Sequence, residues 1–168
     1  EMVWAITGRG ATGSGSGFII GNASTPATQD IGIYSTIDIQ NLTVDNTSTN
    51  NPTALMWTIP LTINENLDIE SGTEFDANGL DLTINGDLTN SGTFTPNSNT
   101  TYFSGTSDQT ITGTTSFYNL TKTSSVDLEL DAGTTDITIT NDLDVQGGTL
   151  TDNSNDISVQ GDCSFNGT

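Results

Sequence analysis

The stretch that decides the fold is Leu61-Thr-Ile-Asn-Glu-Asn-Leu67, which recurs three more times along the chain. The other copies are Leu82-Thr-Ile-Asn-Gly-Asp-Leu88, Ile137-Thr-Ile-Thr-Asn-Asp-Leu143 and Ile157-Ser-Val-Gln-Gly-Asp-Cys163. Within each copy, apolar residues alternate with Thr or Ser before a short polar segment, and the last apolar residue lies six positions after the first. A period of two is the signature of a β-strand, and Thr, Ile and Val favour strands. The copies therefore predict short strands joined by tight turns.

Gly-Thr pairs form a second marker, and most of them lie about 20 residues apart. The pairs that follow this spacing begin at Gly72, Gly92, Gly113, Gly133, Gly148 and Gly167. A repeat near 20 residues is typical of the coils of a solenoid. We therefore predict an all-β fold, a parallel β-solenoid (β-helix) with one coil of about 20 residues per repeat. The alternative is a β-sandwich, whose strands also recur at short and regular intervals.

A longer period is superimposed on the short one. The segment from Leu61 to Thr73 matches Ile137 to Thr149 without a gap, and Leu82 to Thr93 matches Ile157 to Thr168 once one residue is deleted between the two segments. The chain thus reads as two copies of a unit of about 76 residues. If equivalent turns stack, they form one acidic column, made of Asn66, Asp87, Asp142 and Asp162.

Composition and charge exclude several classes of function. The 168 residues are 32% hydrophobic and carry a net charge of −19, with 21 acidic residues against two bases, Arg9 and Lys122. Nucleic acids and anionic membrane surfaces are bound through clusters of Lys and Arg, which this chain lacks. No apolar run approaches the length needed for membrane insertion as a helix. We therefore expect neither nucleic acid nor membrane as a partner.

The N-terminal part differs from the repeats. We expect residues 1–20 to form a strand and a Gly/Ser linker, with Met2 to Ile6 as the strand and residues 8–17 as the linker. Residues 21–168 form the predicted solenoid domain, in which residues 21–36 are irregular and regular coils begin near Ile37.

The two ends predict an assembly interface. The repeat pattern stops in its middle at Thr168, so we expect an open β-edge there, which is a template for strand addition. The N-terminal strand of the next copy is a natural complement, and such head-to-tail contacts propagate as filaments. The alternatives are that this strand caps its own solenoid, and that the sequence is truncated at Thr168 with more repeats beyond it. The predicted polymerisation interface comprises Met2, Val3, Trp4, Ala5, Ile6, Phe18, Ile19, Ile20, Cys163 and Phe165.

The residues offer little chemistry for catalysis. Without histidine, Ser-His-Asp and Cys-His catalysis are excluded, and the many carboxylates recur with the repeat instead of forming one unique pair. We therefore expect no enzyme and no cofactor. A column of carboxylates would attract Ca²⁺, with Asp87, Asp142 and Asp162 as candidate ligands, and the alternative is a hydrated column of turns. Cys163 replaces the leucine of the other copies, so we expect it to be a buried core residue.

Two segments resemble repeats of large bacterial surface proteins, the adhesin-like or autotransporter-like β-solenoids. They are Asp81-Leu-Thr-Ile-Asn-Gly-Asp-Leu88 with Ser91-Gly-Thr-Phe94, and Gln109-Thr-Ile-Thr112 leading to Phe117-Tyr-Asn-Leu-Thr121. The resemblance covers residues 37–168, implies an exported adhesive or scaffolding role, and assigns no functional residue.

Together these patterns predict a secreted protein, extracellular or on the cell surface, that is the structural subunit of a filament. Its partners are copies of itself, joined head to tail by addition of the N-terminal strand to the open C-terminal coil. The alternative is a passive stalk or carbohydrate-binding segment of a larger adhesin, which predicts monomers and contact with glycans.

Overall fold

A computed structural model describes residues 2–6, 17–21, 30–45, 52–132 and 136–166; for residues 2–6 it describes the backbone alone. These residues contain β-strands and no helix. The strands stack in parallel as a β-solenoid of about six turns, with about 21 residues per turn. The predicted fold class is therefore confirmed.

The strands are short, and successive strands belong to different sheets. In chain order they are β1 (Met2–Ile6), β2 (Gly17–Ile20), β3 (Asp30–Ser35), β4 (Asn41–Val44), β5 (Thr53–Met56), β6 (Leu61–Ile63), β7 (Leu67–Ile69), β8 (Glu74–Asp76), β9 (Leu82–Ile84), β10 (Leu88–Asn90), β11 (Thr93–Thr95), β12 (Thr100–Phe103), β13 (Gln109–Thr112), β14 (Thr115–Phe117), β15 (Asn119–Lys122), β16 (Leu128–Leu130), β17 (Ile137–Ile139), β18 (Leu143–Val145), β19 (Leu150–Thr151), β20 (Ile157–Val159) and β21 (Cys163–Phe165).

The strands build three faces around one core. Face A contains β1, β3, β5, β8 and β11, and a separate sheet of β14, β17 and β20 takes its place in the later coils. Face B contains β6, β9, β12, β15, β18 and β21, and face C contains β2, β4, β7, β10, β13, β16 and β19. Within each coil the chain runs from face A to face B to face C. All the strand pairs are parallel, as expected when each coil repeats the path of the one before it.

The period of two decides which side chains enter the core. In β6, Leu61 and Ile63 are buried while Thr62 is partly exposed, and the same pattern holds in β9. Because the strands pair in register, Ile63 lies beside Ile84, which is followed by Phe103 in the next coil. Stacked apolar columns of this kind exclude water along the whole solenoid, and each buried aliphatic side chain contributes about 1.5–3 kcal/mol.

Four phenylalanines connect successive coils through ring contacts. The ring centroids of Phe75 and Phe94 are 6.0 Å apart, those of Phe94 and Phe117 5.8 Å, and those of Phe103 and Phe117 6.3 Å. These distances are typical of stabilising aromatic pairs. The contact between Phe94 and Phe117 also joins the two sheets of face A, because β11 and β14 are not hydrogen-bonded neighbours.

The two copies of the long repeat occupy different faces. Leu61 and Leu82 begin strands of face B, and their motifs continue into face C. Ile137 and Ile157 begin strands of face A, and their motifs continue into face B. A spacing of 76 residues exceeds three coils of about 21 residues by roughly two-thirds of a coil, so the second copy is displaced by one face. The prediction of a single column, made of Asn66, Asp87, Asp142 and Asp162, is therefore wrong.

Buried polar residues mark the region in which this displacement occurs. Those between β10 and β15 are Asn90, Asn99, Thr101, Gln109, Thr115, Thr121 and Lys122. Some are well bonded: Gln109 Nε2 donates to the carbonyl oxygens of Ile84, at 3.1 Å, and Gly86, at 2.5 Å. Within the described chain, however, Asn90 Oδ1 and Asn99 Oδ1 have no hydrogen-bond partner, and such groups cost about 1–3 kcal/mol when buried. We name residues 90–122 the junction.

The structure corrects one boundary at the N-terminal side. Residues 30–35 form β3, a six-residue strand on face A, so the prediction that residues 21–36 are irregular is wrong for this part. Ile31 and Ile33 of β3 are buried, because they follow the same inward alternation as the later coils.

Candidate assembly interface

The last coil presents an open end. Its strands β19, β20 and β21 each form the edge of their sheet within the described chain. Phe165 occupies an inward position beside Val145, yet 64% of its surface is exposed, whereas Val145 is 98% buried. Ile157 and Val159 of β20 are only partly buried against the core. The end of the solenoid therefore exposes side chains that in every earlier coil would be covered by the next one.

Cys163 shows the same effect. It pairs with Leu143, as expected from the alignment of the repeats, and it therefore occupies a core column. The thiol is nevertheless free and the residue exposed, so the prediction that Cys163 is buried is wrong. No described residue covers the column above it, and position in a repeat alone does not guarantee burial.

The opposite end is formed by β1 and β2. Strand β1 pairs in parallel with β3 of the same chain, from Met2 beside Ile31 to Ile6 beside Ser35. Because β1 ends the sheet of face A, its second edge has no neighbour within the described chain. The side chains of Met2, Val3, Trp4, Ala5 and Ile6 lie outside what the structure describes.

Strand β2 has the same place on face C. It pairs with β4 and is the terminal strand of its sheet. Phe18 packs against the core and Ile20 is buried, while Ile19 between them is 67% exposed on the outward side. Of the predicted interface residues in β2, Phe18 and Ile20 thus belong to the core, and Ile19 points away from it.

Asp and Asn side chains connect neighbouring coils at the corners of the solenoid. In each case the side-chain Oδ1 of one coil accepts the backbone N–H of a residue one coil later, at 2.8–3.2 Å. The acceptors are Asn41, Asn66, Asp81, Asp87, Asp108, Asn119, Asp127, Asp136 and Asp142. We name this set the corner ladder. It satisfies backbone donors at turns, where the strands themselves provide no partner.

The electrostatics of Asp127 illustrate the ladder. The hydroxyl of Thr149 donates to Asp127 Oδ1 at 2.5 Å, and the backbone N–H of Thr149 donates to the same oxygen at 3.2 Å. The hydrogen bond from the Thr149 hydroxyl lowers the pKa of Asp127 most. The backbone hydrogen bond and the positive charge of Lys122 lower it further. Hydrogen bonds from the protein thus favour the ionised carboxylate.

The candidate calcium ligands belong to this ladder. Asp87 Oδ1 accepts the N–H of Thr110 at 2.8 Å, on the corner between faces B and C. Asp142 Oδ1 accepts the N–H of Asp162 at 2.9 Å, on the corner between faces A and B. The residues that the structure describes contain no group of three or more Asp, Glu, Cys or His able to hold a metal ion. The geometry gives Asp87 and Asp142 a structural role in joining coils.

Lys122 is the one base among the described residues, and it is buried in the core. Its column on face B places it between Phe103 and Val145, and only 1% of its surface is exposed. The ammonium donates to the carbonyl oxygens of Ser124, at 2.7 Å, and Gly147, at 2.8 Å. These bonds hold two turns of neighbouring coils together.

Burial decides the titration of this ammonium. Desolvation lowers the pKa of Lys122, and the negative charges of Asp127 and Asp108 only partly oppose it. Periodicity could not have predicted this residue, because the core column around it is otherwise apolar.

Face A carries an acidic outward side near β8. Thr95 Oγ1 donates to Glu74 Oε1 at 2.6 Å, and Asn97 Nδ2 donates to Asp76 Oδ1 at 2.7 Å. Burial raises the pKa of Asp76, as do the charges of Glu74 and Asp30, while hydrogen bonds from Asn78 and Asn97 oppose the shift. Repulsion between neighbouring carboxylates therefore destabilises the ionised form of Asp76 on this surface.

No helix long and apolar enough to cross a membrane occurs in the part of the chain that the structure describes. The chain matches no known family model, no curated protein and no solved structure at a significant level. Its function must therefore be inferred from its own residues and their geometry.

Proposed function

We propose that the chain is a structural subunit of an extracellular filament, in which copies stack end to end. The open coil of β19, β20 and β21 meets the end formed by β1 and β2 of the next copy. This contact is heterologous, so it adds subunits in one direction without closing. The resemblance to exported surface repeats supports the extracellular location.

The observation that carries this proposal is the correspondence between the two ends. Strand β20 is the last strand on face A and β1 is the first. Since all the strands of this face are parallel, a second copy whose β1 lies above β20 continues face A with the same strand direction. In this arrangement β1 keeps its pairing with β3 and uses only its free edge.

Exposed apolar surface adds a driving force. Phe165 lies in a core column and is 64% exposed, so a further coil above it would complete its burial. Open β-edges next to apolar side chains favour strand addition.

The test is electron microscopy of the purified full-length polypeptide, combined with fibre diffraction. Stacking through parallel coils predicts long filaments with a strand spacing of about 4.8 Å along the axis. Face A has eight strands in its two sheets, so each subunit should add about 38 Å to the filament. Removal of residues 1–17, which include β1, should abolish the filaments. Monodisperse particles of the full-length chain would contradict the proposal.

A second candidate function is a stalk or glycan-binding segment of a larger adhesin. Two half-buried aromatic residues of face A, Tyr34 and Trp57, alternate with the buried Ile33 and Met56 and so project outward on neighbouring coils. Aromatic side chains that combine an apolar body with a polar tip are common at binding surfaces. This function predicts a monomer that binds on a glycan array and loses binding in Trp57→Ala.

A further inference from the structure

We propose that the outward side of face A binds a Lys or Arg side chain of a partner protein, across the rings of Tyr34 and Trp57 and the carboxylate of Asp76. The contact uses a lateral face of the solenoid, so it goes beyond end-to-end assembly and does not depend on it. The three residues belong to successive coils: Tyr34 lies in β3, Trp57 directly after β5 and Asp76 in β8.

Strand pairing brings these side chains together on one surface. The N–H of Trp57 donates to the carbonyl oxygen of Ile33 at 2.9 Å, which places Trp57 beside Tyr34. Leu55 of β5 pairs with Asp76 and is half-buried on the same outward side. Because neighbouring strands are about 4.8 Å apart, the three coils form a surface about 10 Å long. We name Tyr34, Leu55, Trp57 and Asp76 the face A strip.

Asp76 offers the strip one available carboxylate oxygen. Its Oδ1 accepts the N–H of Asn78 at 2.6 Å and the side-chain amide of Asn97 at 2.7 Å. Among the described residues, no group donates to Oδ2. Glu74 in the same strand differs, because threonine hydroxyls donate to both of its oxygens, at 2.6 Å and 3.4 Å. An incoming donor therefore meets Asp76 Oδ2.

A Lys or Arg side chain has the chemistry that fits this strip. Its stem is aliphatic and its end is cationic, and the strip likewise changes from rings and Leu55 to a carboxylate. Cations are attracted to the faces of Trp and Tyr rings. A cationic donor also forms a stronger hydrogen bond to a carboxylate than a neutral donor does. An uncharged sugar could stack on the rings, but it would leave the charge of Asp76 without a counterion.

The surroundings of Asp76 favour a cationic neighbour. Burial raises the pKa of its carboxyl group, and the charges of Glu74 and Asp30 raise it further. Both effects destabilise the ionised carboxylate, and a cation held beside it would offset them.

The charge of the whole chain indicates that this cation comes from a different protein. The net charge is −19, which attracts cationic groups and repels another copy. The chain has two bases, Arg9 and Lys122; Lys122 is buried, and Arg9 lies outside the described residues. A second copy would thus bring 21 acidic residues and, among the residues that the structure describes, no exposed base.

Three substitutions separate the contributions to binding. Asp76→Asn removes the negative charge but keeps an oxygen that can accept from Asn78 and Asn97. Trp57→Leu removes the ring but keeps an apolar side chain. Glu129→Gln is the matched control for charge, because Glu129 is exposed on the outward side of β16, on face C.

The experiment is an NMR titration of the isotope-labelled full-length chain with N-acetyl-arginine amide. N-acetyl-citrulline amide is the neutral probe, since its stem is the same and its end is uncharged. The backbone amide of Asn78 reports binding in every variant, because it donates to Asp76 Oδ1. Affinity for the arginine probe should fall about fivefold in Asp76→Asn and about threefold in Trp57→Leu, and by less than about 1.5-fold in Glu129→Gln. Circular dichroism checks that every variant remains folded.

The arginine probe should also bind about fivefold more tightly than the citrulline probe. Equal binding of the two probes would overturn the role of the carboxylate. Equal losses in Asp76→Asn and Glu129→Gln would overturn the face A strip, since attraction to the acidic chain as a whole would then explain binding. Tighter binding of a glucosamine oligosaccharide than of the arginine probe would overturn the assignment to a protein partner. Filament formation is measured separately by electron microscopy, so the proposed function can fail while this inference stands.

Discussion

Phe165 provides the most direct test of end-to-end assembly. It lies at the end of a core column, and 64% of its surface is exposed in the single chain. An aromatic side chain buries about 150–250 Å², so a coil placed above Phe165 would remove about 130 Å² from water. At about 25 cal/mol per Å², this burial stabilises each contact between copies by about 3 kcal/mol.

Phe165→Ala should remove most of this contribution. We expect a loss of about 2–3 kcal/mol at each contact, which raises the critical concentration for filament formation roughly 30- to 150-fold. The part of Phe165 already covered contributes at most about 2 kcal/mol, and Phe165 belongs to the last strand of its sheet, so the subunit should remain folded. Sedimentation of a concentration series measures the effect, and thermal unfolding confirms the fold.

Ile19→Ala is the matched control. Ile19 has nearly the same exposure, 67%, and also belongs to a terminal strand, but its side chain points outward from face C. Its loss should change the critical concentration by less than about twofold. Equal effects of the two substitutions would refute the reasoning, because general hydrophobicity and not the core column would then drive assembly.

Three further predictions concern the stability of the single chain. Lys122→Met should lower the free energy of unfolding in urea by about 1–3 kcal/mol, because two buried carbonyl oxygens lose their donor. The pKa of Lys122 in the folded state lies below its value of 10.5 in the unfolded chain, so this group makes the free energy of unfolding rise with pH between those two values. Over this pH range, the stability difference between the wild type and Lys122→Met should therefore increase. The pKa of Asp76 in the folded state is raised above 3.8, so the ionised carboxylate destabilises the fold. Asp76→Asn should therefore stabilise the fold by less than about 1 kcal/mol at pH 7, and the gain in melting temperature should vanish as the pH falls towards 3.8. Finally, Gly113→Ala should destabilise the fold by several kcal/mol, because the φ of Gly113 is +89° and a Cβ would lie 1.9 Å from the carbonyl oxygen of Asn90. Gly79→Ala is the control and should destabilise by only about 1 kcal/mol, because the φ of Gly79 is +72° but no atom lies nearer than 3.9 Å to its Cβ. Similar unfolding midpoints for the two variants would contradict this prediction.

Much of the fold could be predicted because strand periodicity is a local property. The alternation in Leu61-Thr-Ile63 assigns two side chains to the core and one to the outside, and the structure confirms this. Spacing near 20 residues then predicted one coil per repeat, because a solenoid requires each coil to repeat the path of the last.

The candidate interface was only partly predictable. Alignment of the repeats placed Cys163 beside Leu143 correctly, but exposure depends on whether another coil lies above it, which no repeat encodes. The corner ladder was not predicted from the sequence. Acceptors such as Asp136 and Asp142 each directly precede a strand, but the shared direction of the ladder bonds became visible only with the coils stacked.

The sequence by itself determined the parallel solenoid and the length of its coils, since both follow from alternation and spacing along the chain. Only the tertiary structure decided on which face each motif lies. The long repeat of about 76 residues is not a whole number of coils of about 21 residues, so its second copy begins on face A and not on face B. Buried polar residues such as Asn90 and Lys122 lie at the junction between the two copies of the long repeat. The physical reason is that each coil must close around a filled core. This requirement brings residues that are far apart in the repeat into contact in space.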